Sequence, residues 1–125
     1  MPAWIAVFLG AGIGGVLRHW TNQLAARIAG PDFPFGTLTV NIVGSVIMGL
    51  LAGWFAGKGE ATQIWRLFLT TGVLGGYTTF STFSLDIVAL WQRGEALSAT
   101  LYVAASLILS VVGLWGGLWV MRTAG

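Results

Sequence analysis

Cysteine is absent from this chain of 125 residues, so neither a disulfide framework nor a thiolate metal site is open to it. Histidine occurs once and acidic residues four times, and no nucleophile–base pair emerges, so an enzyme is not expected. Charge of either sign is scarce: 8% of residues, where soluble domains carry about 25%. The six Lys and Arg residues are scattered singly and form no basic patch, which excludes a nucleic-acid partner.

What the chain does have is apolar surface. Hydrophobic residues make up 56% of it, leaving too little polar surface to cover a globule in water, so the lipid bilayer is the expected solvent. Its length supports about four crossings of roughly 20 residues each and leaves nothing for a separate soluble domain. The opening "MPAWIAVFLGAGIGGVL" resembles a signal peptide but lacks a basic leading region. It continues into the helix-forming "RHWTNQLAAR", so a retained first span is expected.

Four segments follow: about 3–27, interrupted by Arg18; 36–57 without charge; 65–92, broken by Gly, Thr and Ser; and 96–121, again without charge. The expected fold class is an all-α integral membrane protein, a single domain over 1–125, with the third of four transmembrane helices broken near its middle. The connections "AGPDFPF", "KGEATQI" and "RGE" are short and read as turns between antiparallel neighbours. Trp4, Trp54, Trp65, Trp91 and Trp119 fall near span ends, where indoles settle at the membrane interface. The pairs Gly10/Gly14, Gly49/Gly53, Gly72/Gly76 and Gly113/Gly117 predict close helix packing, expected here across a subunit interface.

Lys58, Arg66 and Arg122 share one side of this topology; Arg27 and Arg93, with Arg18 if it snorkels, share the other. The balance selects no orientation. Either another feature orients the chain, or it inserts both ways and pairs head to tail.

Polar residues inside spans are costly and face protein or water. Asn41 shares a helical face with Gly44, Ser45 and Met48, and reads either as a helix–helix hydrogen-bonding residue or as a pore amide that donates to an anion. Tyr102, Ser106 and Ser110 recur every four residues, a hydroxyl ladder about 12 Å long, unless each serine bonds back to its own helix. In "GGYTTFSTFS", residues 75–84, glycines and poor helix formers predict a break. Carbonyls freed there need a partner, and unwound carbonyls in a bilayer suit a desolvated Na⁺. Phe80 and Phe83 share one face, Ser81 and Ser84 another. Positive ring edges beside hydroxyls and an uncharged amide suit a small anion.

"GGYTTFSTFS", with "GTLTVNIVGS" upstream and "GGVLRHW" in the first span, closely resembles the CrcB/Fluc fluoride channel family over essentially the whole chain. The resemblance implies an antiparallel, dual-topology homodimer in the cytoplasmic (inner) membrane, with two pores for passive fluoride export. It implies a structural Na⁺ at the helix break and the dimer interface, held by the backbone carbonyls of Gly75 and Thr78 from both subunits. Pore residues carried over are Asn41, Phe80 and Phe83, then Tyr102, Ser106 and Ser110, with Ser81 and Thr82 as further candidates. Arg18 corresponds to the family's basic residue near an aqueous vestibule.

The remaining charges read as interfacial: Arg27, Lys58, Arg66, Arg93 and Arg122 as anchors, with His19 beside Arg18. Asp86, near the end of the third span, is expected to pair with a base or face an aqueous mouth. The alternative function is a small four-span proton-coupled multidrug exporter. That chemistry needs a membrane-embedded carboxylate; the first span has none and Asp86 lies near an end.

Overall fold

The computed structural model describes residues 1–124. Helix α1 (Ala3–Ala29) ends where Gly30 adopts φ 83 and Pro31 follows, a conformation and a residue that cannot continue a helix. Helix α2 (Phe35–Phe55) starts directly after Pro34. The third crossing is composite. A short 3₁₀ turn (Glu60–Thr62) leads into α3 (Gln63–Leu67), a π-helical segment (Phe68–Leu74) and α4 (Gly75–Tyr77). The chain then breaks before α5 (Ser81–Gln92). Gly94, at φ 80, turns the chain into α6 (Ala96–Ala124). All four crossings are long and apolar enough to span a membrane.

The π segment is a departure from the plain helix that the apolar run predicts before the break. Its sequence, "FLTTGVL", holds two threonines, a glycine and a valine, all weak α-helix formers, so a wider turn displaces little favourable structure.

Packing follows from the glycines. A Cβ on Gly10 or Gly14 would collide with the backbone of Phe68 or Val73, and one on Gly76 with Ala11 O. Likewise Gly49 lies against Leu114 O and Gly117 against Val46 O. Along α1, Gly10 faces Phe68 while Gly14 faces Val73 and Tyr77, and along α2, Val46 faces Gly113 while Gly53 faces Met121, so α1 runs parallel to the third crossing and α2 parallel to α6. This follows from an up-down-up-down chain, in which alternate crossings point the same way. The glycine pairs therefore close helix contacts within one chain; the expected role across a subunit interface is corrected, because the sites are already filled from the same chain, by backbone at most of them and by the Met121 and Val46 side chains at Gly53 and Gly113.

The interior is small. Tyr102, Leu90 and Val40 are fully buried, and Phe83, Leu90, Ala99 and Tyr102 form one apolar cluster. Large apolar side chains instead cover the exterior, including Trp4, Trp54, Trp65, Trp91 and Trp119. A multi-pass membrane protein has this distribution because its surround is lipid rather than water.

Candidate functional site

The break is built from three residues. Thr78 is extended (φ −83, ψ 160), and helical conformation returns at Phe80. Thr79 lies between and takes no part in either helix. Its N–H donates to Asn41 Oδ1 at 2.9 Å, and its carbonyl accepts from Asn41 Nδ2 at 3.1 Å. One side-chain amide from α2 thus replaces both backbone partners that the break removes. The second N–H of Asn41 is left over.

The same geometry leaves four successive carbonyls, those of Gly75, Gly76, Tyr77 and Thr78, without their helical donors among the described residues. In an unbroken helix, Thr79 N–H would donate to Gly75 O and Thr82 N–H to Thr78 O. Here the first goes to Asn41, and the second to Thr79 Oγ1 at 3.2 Å. Gly75 and Thr78, the two that the family resemblance assigns to Na⁺, are among these unpartnered backbone oxygens.

Beside the break, α2 and α6 leave an open groove of about 290 Å³. Asn41, Gly44, Ser45 and Met48 form one wall, Ser106 and Ser110 the other, and Thr78, Thr79, Phe80 and Phe83 the end. Asn41 and Met48 are seven residues apart, so the α2 wall runs about 10 Å along the helix. The Oγ atoms of Ser106 and Ser110 are buried and have no protein partner among the described residues. Buried polar groups are almost always paired, so two adjacent orphan hydroxyls facing one groove indicate a polar occupant.

The candidate residues are not all equivalent. Phe80 and Phe83 have ring centroids 5.8 Å apart, but Phe83 is buried against Tyr102 while Phe80 is 77% exposed. Tyr102 sits one turn beyond Ser106, and its hydroxyl donates to Asp86 Oδ2 at 2.9 Å. That proton is committed, so the hydroxyl ladder has two free rungs rather than three. Ser81 is exposed on the first turn of α5 and Thr82 is half-buried behind Thr79; neither lines the groove. Arg18 is half-buried on α1, and no residue of α1 lines the groove.

Asp86 pairs with a tyrosine rather than with a base. It also lines a cavity of about 250 Å³ with Thr37, Asp32 and Arg93 at the far end of the bundle. Arg93 is held there by Glu95 at 2.6 Å and by the Asp32 carbonyl at 2.6 Å. The four-residue offset from Tyr102 to Ser106 could not reveal the Asp86 contact, which joins two different crossings. Thr79, the residue that Asn41 grips, was likewise not singled out in the sequence, where it is one threonine of a pair.

Comparison with known proteins identifies the family. The family profile described as "CrcB-like protein, Camphor Resistance (CrcB)" matches residues 5–118. The chain is 54% identical over 119 residues to "Fluoride-specific ion channel FluC 2" of Nitrobacter hamburgensis, covering 95% of this chain and 96% of that one. It is 54% identical over 121 residues to "Fluoride-specific ion channel FluC" of Methylobacterium nodulans, covering 97% of each. A protein of the same name in Mesorhizobium japonicum is 47% identical over 119 residues, covering 95% of each chain. These names lend no support to the multidrug exporter. With a profile match across nearly all of its length and relatives at half identity, the chain belongs to the CrcB-like family.

Proposed function

We propose that the protein is a fluoride-selective channel in the cytoplasmic (inner) membrane, working as an antiparallel, dual-topology homodimer that lets fluoride leave the cell passively. The observation that carries this reading is the pair of orphan hydroxyls, Ser106 and Ser110, facing Asn41 across a groove that ends at two phenylalanines. The relatives' names supply the ion.

Fluoride is small and strongly hydrated, so a selective pathway replaces its water with closely placed donors. A fixed cation at the narrowest point would hold it too long, because conduction needs sites weak enough to leave. The free N–H of Asn41 and the two serine hydroxyls are neutral donors, and the ring edges of Phe80 and Phe83 add weak positive potential. Fluoride entering the groove exchanges water for these groups in turn.

A second copy supports this arrangement physically. Thr71, Gly75, Phe80 and Ser81 are exposed on the crossing that carries the break, and unwound backbone at membrane depth is tolerated only against protein or water. The balanced basic residues at the two ends fit a pair of opposite orientation. The freed carbonyls of Gly75 and Thr78, with their counterparts from the second copy, fit a structural Na⁺. Such an ion supplies a fixed positive potential near the groove.

The test is efflux from proteoliposomes read with a fluoride electrode and repeated with chloride. Rapid fluoride loss with little chloride loss is expected, and retention of fluoride overturns the reading. Ser106→Ala and Ser110→Ala are each expected to slow fluoride efflux about tenfold, the effect of one lost hydrogen bond to an ion. Tyr102→Phe is expected to cost less than either, since its hydroxyl already serves Asp86. A larger loss in Tyr102→Phe than in both serine variants would show that the ion reaches the tyrosine instead.

A further inference from the structure

Two cavities on this chain share a wall at Met48. Met48 of α2 lines the groove that holds Asn41 and Ser110, and also lines a larger cavity of about 500 Å³. The larger cavity reaches the Lys58 end of the bundle through Phe55, Ala56 and Arg66, and its inner limit is Gly75, three residues before the break. Arg66 therefore stands on one side of Met48 and the orphan hydroxyls on the other.

Arg66 is the charged residue lining the larger cavity. Its guanidinium has no carboxylate partner among the described residues, where the ion pair found is Arg93–Glu95. Arg18, Arg27 and Arg122 also have no carboxylate partner among the described residues but line none of these cavities, whereas two other basic residues are occupied. Arg93 is held by Glu95 and the Asp32 carbonyl, and Lys58 lies over the Trp54 ring at 4.3 Å. Beside Arg66, Thr70 donates its hydroxyl to the Arg66 carbonyl at 2.6 Å, while the Thr71 side chain is exposed and bonded to no protein group among the described residues. The two ends also differ in acid: Glu60 accompanies Lys58, Arg66 and Arg122, whereas Asp32, Asp86 and Glu95 accompany Arg27 and Arg93.

We propose that Arg66 is the anion-gathering charge of the conduction pathway at this end, a residue that sets how often fluoride is captured and not which anion passes. The proposal rests on the channel reading above and adds a residue and a role to it. An unpaired cation in a recess with low-dielectric walls concentrates field lines and raises the local anion concentration. It acts on the still-hydrated ion at the mouth. The neutral donors deeper in the groove then strip the water, so capture and selection fall on different residues. A cation placed here does not trap fluoride, because water and mobile ions screen it over about 10 Å at 0.1 M salt.

The experiment measures fluoride conductance of reconstituted wild type, R66Q, R66E and R66K against fluoride concentration, at low ionic strength and again in about 1 M of an impermeant salt. At low fluoride and low ionic strength, R66Q is expected to lose about 3- to 10-fold and R66E more, within the range of electrostatic steering. R66K is expected to stay within about twofold, because it keeps the charge. In high salt, where screening acts over about 3 Å, the variants are expected to converge on wild type with fluoride-over-chloride selectivity unchanged. Equal conductance of R66Q and wild type at low ionic strength overturns the proposal. So does a loss that high salt fails to remove, which marks a structural role. If R66Q does not fold, the wild type alone still decides: its low-fluoride conductance must fall as impermeant salt rises, and a flat response overturns the proposal. A wild type that moves no fluoride removes the channel reading itself, an outcome distinct from both.

Discussion

Asn41→Asp is expected to reduce fluoride efflux by more than about 100-fold while leaving a protein that still elutes as a single species. Two effects act together. The native amide donates to Thr79 O and accepts from Thr79 N–H, and an aspartate keeps the second contact but turns the first into an oxygen facing an oxygen. The new carboxylate also places a negative charge on the wall of a groove proposed to carry an anion. Two like charges about 4 Å apart at an effective dielectric constant near 20 repel by about 4 kcal/mol, and 1.4 kcal/mol is already a tenfold effect. Charge therefore dominates geometry. Asn41→Ser separates the two: it carries no charge and keeps one donor, so it is expected to retain more efflux than the aspartate by at least about tenfold. Equal efflux in the two variants would mean that Asn41 only braces the break. Efflux near wild type in the aspartate variant would remove Asn41 from the pathway.

Gly14→Ala is expected to destabilise the protein severely, and Gly12→Ala, two residues away on the same helix, is not. A Cβ at Gly14 falls on Val73 O and within 2.8 Å of Tyr77 N, both backbone atoms that cannot swing aside. Overpacking of this kind costs about 1–3 kcal/mol or more. It would push α1 off the π segment and pull on Tyr77, whose hydroxyl is hydrogen-bonded to that of Thr21 at 3.0 Å. At Gly12 none of the described residues comes within 4 Å of the same atom. There alanine meets open space and brings a helix propensity about 1 kcal/mol better than glycine. Thermal unfolding in detergent distinguishes the cases: a midpoint lowered by several degrees or loss of folded material for Gly14→Ala, unchanged or raised for Gly12→Ala. Similar midpoints for both would mean that the α1 crossing relaxes freely and that its glycines are not needed for contact.

Much of this molecule is legible in its sequence. The four crossings follow from the length of apolar runs, a local property, and the helices begin and end within a few residues of the expected limits. The break was legible too, since Gly-Gly-Tyr-Thr-Thr disfavours an α-helix wherever it stands. Family membership followed from the same stretch. What the linear pattern left open was every choice between partners. Asn41 read equally well as a link between helices or as a pore amide; folded, its amide bridges to Thr79, 38 residues away, and also faces the groove. Phe80 and Phe83 share a helical spacing, yet the break exposes one and buries the other. Tyr102 belonged to a regular ladder until Asp86, on another crossing, took its proton. The glycine pairs promised close contact but could not name the helix that would make it. Periodicity along a helix fixes which residues share a face; only the register between crossings decides what that face meets, and hydrogen bonds, orphan hydroxyls and unpaired charges are set by the meeting.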